Sequence, residues 1–112
     1  MKNNLHIANQ YMEIFFSGEN LDRLRDLLGD NFHFKGPLFE FDSADAYVKS
    51  LKDSPPKNFN YKILHRYDAK DSVCFIYAFS KPGISTHMIQ RFAFKNQKIT
   101  DILLIFDTAD FK

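Results

Sequence analysis

From residue 59 to residue 107 the chain consists of four extended runs with almost no connection between them. FNYKILHRY, SVCFIYAFS, THMIQRFAF and ITDILLIFD are joined through Ala69-Lys70-Asp71, Pro82-Gly83 and Asn96-Gln97. Links this short join antiparallel neighbours, because a parallel crossover takes a dozen residues or more. The C-terminal half is therefore an antiparallel meander. In its first run Phe59, Tyr61, Ile63, His65 and Tyr67 alternate with Asn60, Lys62, Leu64 and Arg66. The later runs are apolar on both sides. Val73, Phe75, Tyr77 and Phe79 oppose Cys74, Ile76 and Ala78, and Ile102, Leu104 and Phe106 oppose Leu103 and Ile105.

The N-terminal half has a helical period. Leu5, Ala8, Met12 and Phe15 recur at helical spacing, with Ile7, Tyr11 and Ile14 widening the stripe, which predicts a helix over 4–17 stopped by Gly18. Asn20 is placed to cap a second helix with Leu21, Leu24, Leu27 and Leu28 on its buried face, ended by Gly29. Phe32 and Phe34 alternate with His33 and Lys35 in a short strand broken by Gly36-Pro37. Ser43 reads as the cap of a third helix carrying Ala44, Tyr47, Val48 and Leu51 on one face, and Pro55-Pro56 forbids its continuation. Helices then strands give an α+β class, with the helices on one face of the sheet.

A chain of 112 residues makes one domain, residues 1–112, and buries roughly two-thirds of its unfolded surface. With 15 basic and 14 acidic residues well mixed and a net charge of +1, no face announces nucleic acid or an anionic membrane. The N-terminus lacks the continuous apolar stretch of a signal peptide, and the single Cys74 sits in an apolar run, so a reducing cytoplasm is expected. His6, His33, His65 and His87 show no metal-ligand spacing, and neither a Gly-rich phosphate loop nor a Ser-His-Asp order is present. No metal or cofactor is expected. Arg91, mid-strand among apolar neighbours, calls for a carboxylate partner; Asp42, just before the third helix, is placed to help cap it, and Glu40, between Phe39 and Phe41 in the loop after Gly36-Pro37, to reach the mouth of a cavity.

Three short helices cover one face of a sheet that is apolar on both. Either the sheet curls enough to hide both faces within one chain, or its outer face meets a second copy; the expectation is a homodimer through the outer face.

The stretch SGENLDRLRDLLGDNFHFKGP after a Tyr-bearing helix, followed by a capped helix and a meander, resembles the nuclear transport factor 2-like superfamily. The SnoaL-like polyketide cyclase and ketosteroid isomerase branches look most similar. The resemblance implies a cone, a curved antiparallel sheet wrapped around three helices of the N-terminal half with a cavity at its wide end, and it implies frequent homodimers. It puts Tyr11 at an oxyanion-donor position, Gly36 where the isomerases keep their carboxylate base, and Gln90 near their second donor. It also matches Asp107 with the acid that the cyclases carry at the end of the last strand.

Tyr11, Gln90 and Asp107 are thus the candidate catalytic residues. Parity groups Asp107 with Leu103 and Ile105. If those residues line the cavity, Asp107 stands at its mouth as acid or base; if Ile102, Leu104 and Phe106 line it, Asp107 points to solvent or to a partner, and a bulge can exchange the two. Thirteen Phe and no Trp supply apolar area without polar handles. Met12, Phe15, Phe32, Phe34, Tyr47, Phe92 and Phe106 are the candidate ligand contacts. The expected function is binding of a small apolar, cyclic, carbonyl-bearing molecule, with cofactor-free isomerase- or cyclase-like acid–base chemistry if the protein is an enzyme. The alternative is a non-catalytic dimeric association or carrier module whose cavity is filled by its own Phe side chains.

Overall fold

Helix α1 spans Asn4–Ser17, the limits its apolar spacing predicts. Asn3 caps it, its side-chain oxygen accepting from the His6 N–H at 2.8 Å. The helix stops at Gly18, which takes φ 68° and donates its N–H to Phe15 O at 3.2 Å. A Cβ here would lie 2.4 Å from the Pro56 carbonyl oxygen, so glycine also permits the close pass of the segment after the third helix. The computed structural model describes residues 3–111, with Asp110 described in its backbone only.

The expected second helix takes a tighter form. Leu21–Leu27 is a 3₁₀ helix, and Asn20 sits in the left-handed region without capping it. Leu28 and Gly29 already belong to strand β1, Leu28–Lys35. The reason lies with Arg25, which donates to Leu28 O at 3.0 Å, to Asp45 at 2.9 Å and to Asp30 at 3.3 Å and so pins the segment to the next strand and helix. A two-residue strand β2, Glu40–Phe41, folds back on β1 and was not legible in the sequence. Helix α2, Ala44–Asp53, begins as expected at Ser43, whose hydroxyl oxygen accepts from the Ala46 N–H at 3.0 Å. Asp42 does not share in this cap; its carboxylate lies 3.1 Å from His33 Nδ1.

The meander forms as read: β3 Asn60–Asp68, β4 Ser72–Lys81, β5 Ile84–Lys95 and β6 Lys98–Phe106. Asn96 and Gln97 both take positive φ, the mirror-image turn that matches the twist of a hairpin. The strand order is β2-β1-β6-β5-β4-β3, a curved sheet that does not close, and three helices pack on its inner face. One pairing departs from the antiparallel expectation: β1 runs parallel to β6, reached by a chain that crosses the sheet through α2 and the meander. The protein thus has the cone-shaped α+β fold.

Two bulges set which residues face inward. At Leu64 β3 gains a residue against β4, so Tyr61 and Ile63 face Phe79 and Tyr77, whereas His65 and Tyr67 pair with Ile76 and Cys74 on the outside. The expected common face of Tyr61 and His65 is therefore split. At Thr100 β6 gains one against β5, which brings both Ile99 and Ile102 inward. The narrow end of the cone is sealed by Leu24, Leu28, Val73, Phe75, Phe92 and Ile99, all at most 2% exposed.

Candidate functional site

The C-terminal ends of β1, β4 and β6 and the start of β5 open on the same end of the cone, together with the last turns of α1 and α2. A cavity of about 440 Å³ occupies this end, within the roughly 300–1,000 Å³ usual for small-molecule sites. Aromatic rings form most of its wall. The phenylalanines thus line the cone here rather than fill it.

Four polar side chains meet at the cavity floor. Tyr11 from α1, Tyr47 from α2, Tyr77 from β4 and Gln90 from β5 are each at most 3% exposed. The Tyr77 hydroxyl donates to the Gln90 side-chain oxygen at 2.7 Å. The Gln90 side chain also hydrogen-bonds Tyr11, and the Tyr11 and Tyr47 hydroxyls hydrogen-bond each other. Burial pushes all three phenols well above their ordinary pKa, and neighbouring phenols add to the rise at Tyr11 and Tyr77. The cluster is uncharged, and each hydroxyl remains a donor at neutral pH.

The candidate residues divide by position. Tyr11, Gln90, Phe15, Phe34, Tyr47 and Phe106 line the cavity. Met12, Phe32 and Phe92 do not reach it; they are fully buried behind it, Phe92 standing edge-on to Tyr11 with ring centres 5.2 Å apart. Asp107 is outside. Ile102, Leu104 and Phe106 face inward, so parity turns Asp107 to the outer side, where it is exposed and accepts from the Ala109 N–H at 2.9 Å. That contact starts a terminal 3₁₀ turn, Ala109–Phe111, which returns Phe111 to the cavity against Phe106, ring centres 4.8 Å apart. Asp107 shapes the mouth through Phe111 and presents no carboxylate to a ligand.

Sequence alone did not single out Tyr77 or Lys81. Both continue the inward parity of Val73, Phe75 and Phe79 along β4, so the signal was a phenol and then a charge on an otherwise apolar row. Lys81 is half-buried at the mouth, its Nζ 5.4 Å from the centre of the Phe59 ring and 5.2 Å from that of Phe111. Gly36 lines the cavity without a side chain, so it offers no base there.

Outside the cavity, Glu40 does not reach the mouth; its carboxylate lies 3.0 Å from His33 Nε2, opposite the Asp42 contact at Nδ1. His33, Glu40 and Asp42 bring three potential metal-ligating atoms within 4.8 Å. The two ring nitrogens point in divergent directions, so this arrangement clamps β2 to β1 and does not converge on one ion. Cys74 lies half-buried on the outer face opposite Arg91; burial pushes its thiol up, and the Arg91 charge opposes that. A thiol held protonated is not an activated nucleophile. No helix among the described residues is long and apolar enough to cross a membrane.

Residues 8–102 match the family model described as a SnoaL-like domain. Solved structures share the whole fold. An NTF2-like protein from Cytophaga hutchinsonii superposes with TM-score 0.83 at 18% identity, over 96% of this chain and 93% of its own. A candidate SnoaL-like polyketide cyclase from Shewanella putrefaciens gives TM-score 0.81 at 15% identity, over 99% and 84%. A candidate ketosteroid isomerase from Kribbella flavida gives 0.78 at 10% identity, over 92% and 76%. At these identities the likeness is one of fold. No curated protein matches this chain in sequence.

Proposed function

The chain belongs to the SnoaL-like domain family, and we propose that it binds a small, flat, mostly apolar molecule whose carbonyl oxygen reaches the tyrosine–glutamine cluster. The hydrogen count at the cavity floor carries this reading. A phenol has one O–H to give. Tyr77 spends its own on Gln90. Tyr11 and Tyr47 share one hydrogen between them, so whichever hydroxyl accepts still holds a hydrogen of its own. At least one phenolic donor is thus left beside an apolar cavity, which suits a carbonyl oxygen and polarises it. The names polyketide cyclase and ketosteroid isomerase, borne by two proteins of the same fold, refer to keto compounds and support the reading.

Among the described residues that line the cavity there is no carboxylate or imidazole. A cofactor-free isomerase or cyclase reaction here would use Tyr11 and Gln90 to hold the carbonyl and would take its base from water or from the substrate. Binding and orientation are what these side chains supply by themselves.

The test is a matched pair of ligands, β-naphthyl methyl ketone and β-ethylnaphthalene, titrated calorimetrically. The ketone is expected to bind about two- to tenfold more tightly, the worth of one neutral hydrogen bond. Tyr47→Phe alone leaves Tyr11 its hydrogen and is expected to keep that advantage, the double variant Tyr11→Phe/Tyr47→Phe to erase it, and Asp107→Asn to leave it intact. Equal binding of the two ligands by the wild-type protein rules the reading out.

The same proposal includes a homodimer through the outer face. Ile89 and Ile105 pair directly across β5 and β6 there and are 41% and 51% exposed, with Arg91 alongside. Light scattering should give twice the chain mass, and Ile105→Lys should return it to that of one chain. A monomeric wild-type protein at micromolar concentration removes this part of the proposal.

A further inference from the structure

We propose that the ligand carries an anionic group at the end opposite its carbonyl, and that Lys81 receives it. This rests on the binding role proposed above and narrows it to a class: elongated, largely aromatic or alicyclic keto acids, or molecules with another anion in place of the carboxylate.

The geometry lies along one strand. Tyr77, Phe79 and Lys81 follow one another on the inner face of β4. At about 3.3 Å per residue, the row from Tyr77 to Lys81 is about 13 Å long, the reach of a two- or three-ring molecule. Its inner end carries neutral hydrogen-bond donors and its outer end an ammonium, with apolar wall between.

Lys81 is the one charged side chain among the described residues that line the cavity. It makes no ion pair with any described carboxylate, whereas Lys49 and Lys52 are paired with Asp53 and Asp22 at 3.1 and 2.8 Å. The Phe59 and Phe111 rings hold its ammonium against the wall through their negative faces. A cation kept at an apolar rim, with no described carboxylate paired to it, is partly stripped of water. A neutral ligand would leave it so; a ligand with an anionic end supplies the counter-charge through charge-assisted hydrogen bonds.

The experiment uses an acetylnaphthoate with its ketone and carboxylate at opposite ends of the ring pair, and the methyl ester of the same molecule. Both are titrated into the wild-type protein and into Lys81→Met and Lys81→Arg, with circular dichroism confirming that each variant is folded. The acid is expected to bind the wild-type protein about three- to tenfold more tightly than the ester at low salt, a range set by the half-exposed ammonium. Lys81→Met should erase that preference, and Lys81→Arg should keep it. Added salt should weaken the acid and spare the ester. An ester that binds as tightly as the acid, or a preference that survives Lys81→Met, overturns the inference while leaving the cavity a ligand site. If neither molecule binds, the binding role itself fails and this inference with it.

Discussion

The Tyr77 hydroxyl donates to the Gln90 side-chain oxygen at 2.7 Å, and this bond joins β4 to β5 at the floor of the cavity. Gln90 is the hub of the polar cluster, because its amide also meets Tyr11. Gln90→Leu would leave the Tyr77 hydroxyl buried without its acceptor and take a partner from Tyr11. The expected loss is about 1–3 kcal/mol of folding free energy, against about 1 kcal/mol for Tyr77→Phe. In urea denaturation the double variant should lose less than the sum of the two, since removing both partners leaves nothing orphaned between them.

The same cluster fixes a pH dependence. The native pKa values of Tyr11, Tyr47 and Tyr77 are raised above the ordinary value of 10.0, so the native state holds protons that the unfolded chain releases. Stability from these groups is whole below pH 10 and is lost as pH rises from there toward the native values. With three phenols contributing, the slope approaches about 4 kcal/mol per pH unit. Absorbance at the phenolate band should show these tyrosines ionising together with alkaline unfolding. Their titration in a protein still folded by circular dichroism would contradict the burial described.

Phe92 and Phe106 test the boundary between core and cavity. Phe92 is fully buried against Tyr11 and Phe75, and truncation to Ala should remove about 3–5 kcal/mol. Phe106 is half-buried at the mouth beside Phe111, where the space it vacates joins an existing opening. Phe106→Ala should lose less than about 2 kcal/mol and should weaken ketone binding. Thermal and chemical denaturation of the pair decides the ordering.

Gly18 carries two constraints at once, a left-handed backbone and the passage of the Pro56 carbonyl. Gly18→Ala should therefore destabilise by about 1–3 kcal/mol, more than the backbone strain alone, and denaturation midpoints would show it.

The architecture was legible because period and punctuation agreed. The stripe from Leu5 to Phe15 gave α1, Ser43 marked the start of α2, and the short links marked the meander. The 3₁₀ form of Leu21–Leu27 was not legible, since a run of leucines at helical spacing fits either helix and Arg25 decides through contacts made at a distance. The pairing of β1 with β6 lay beyond local pattern for the same reason. In the cavity, Tyr11, Gln90 and Tyr47 were found in advance. Phe92 looked equivalent to Phe106 because alternation reports the face of a residue and says nothing of its depth along the cone. Asp107 turned on parity alone, and two apolar faces gave no means of choosing between them.

The extra residue at Leu64 does more than redirect His65. Strand β3 is the free margin of the sheet, nine residues long, and a straight margin of that length invites stacking of one molecule upon the next. The irregularity interrupts its row of amides midway, and Lys62, Arg66 and Asp68 stand exposed around it. The break in the ladder and the charges beside it thereby keep this rim from seeding fibrils.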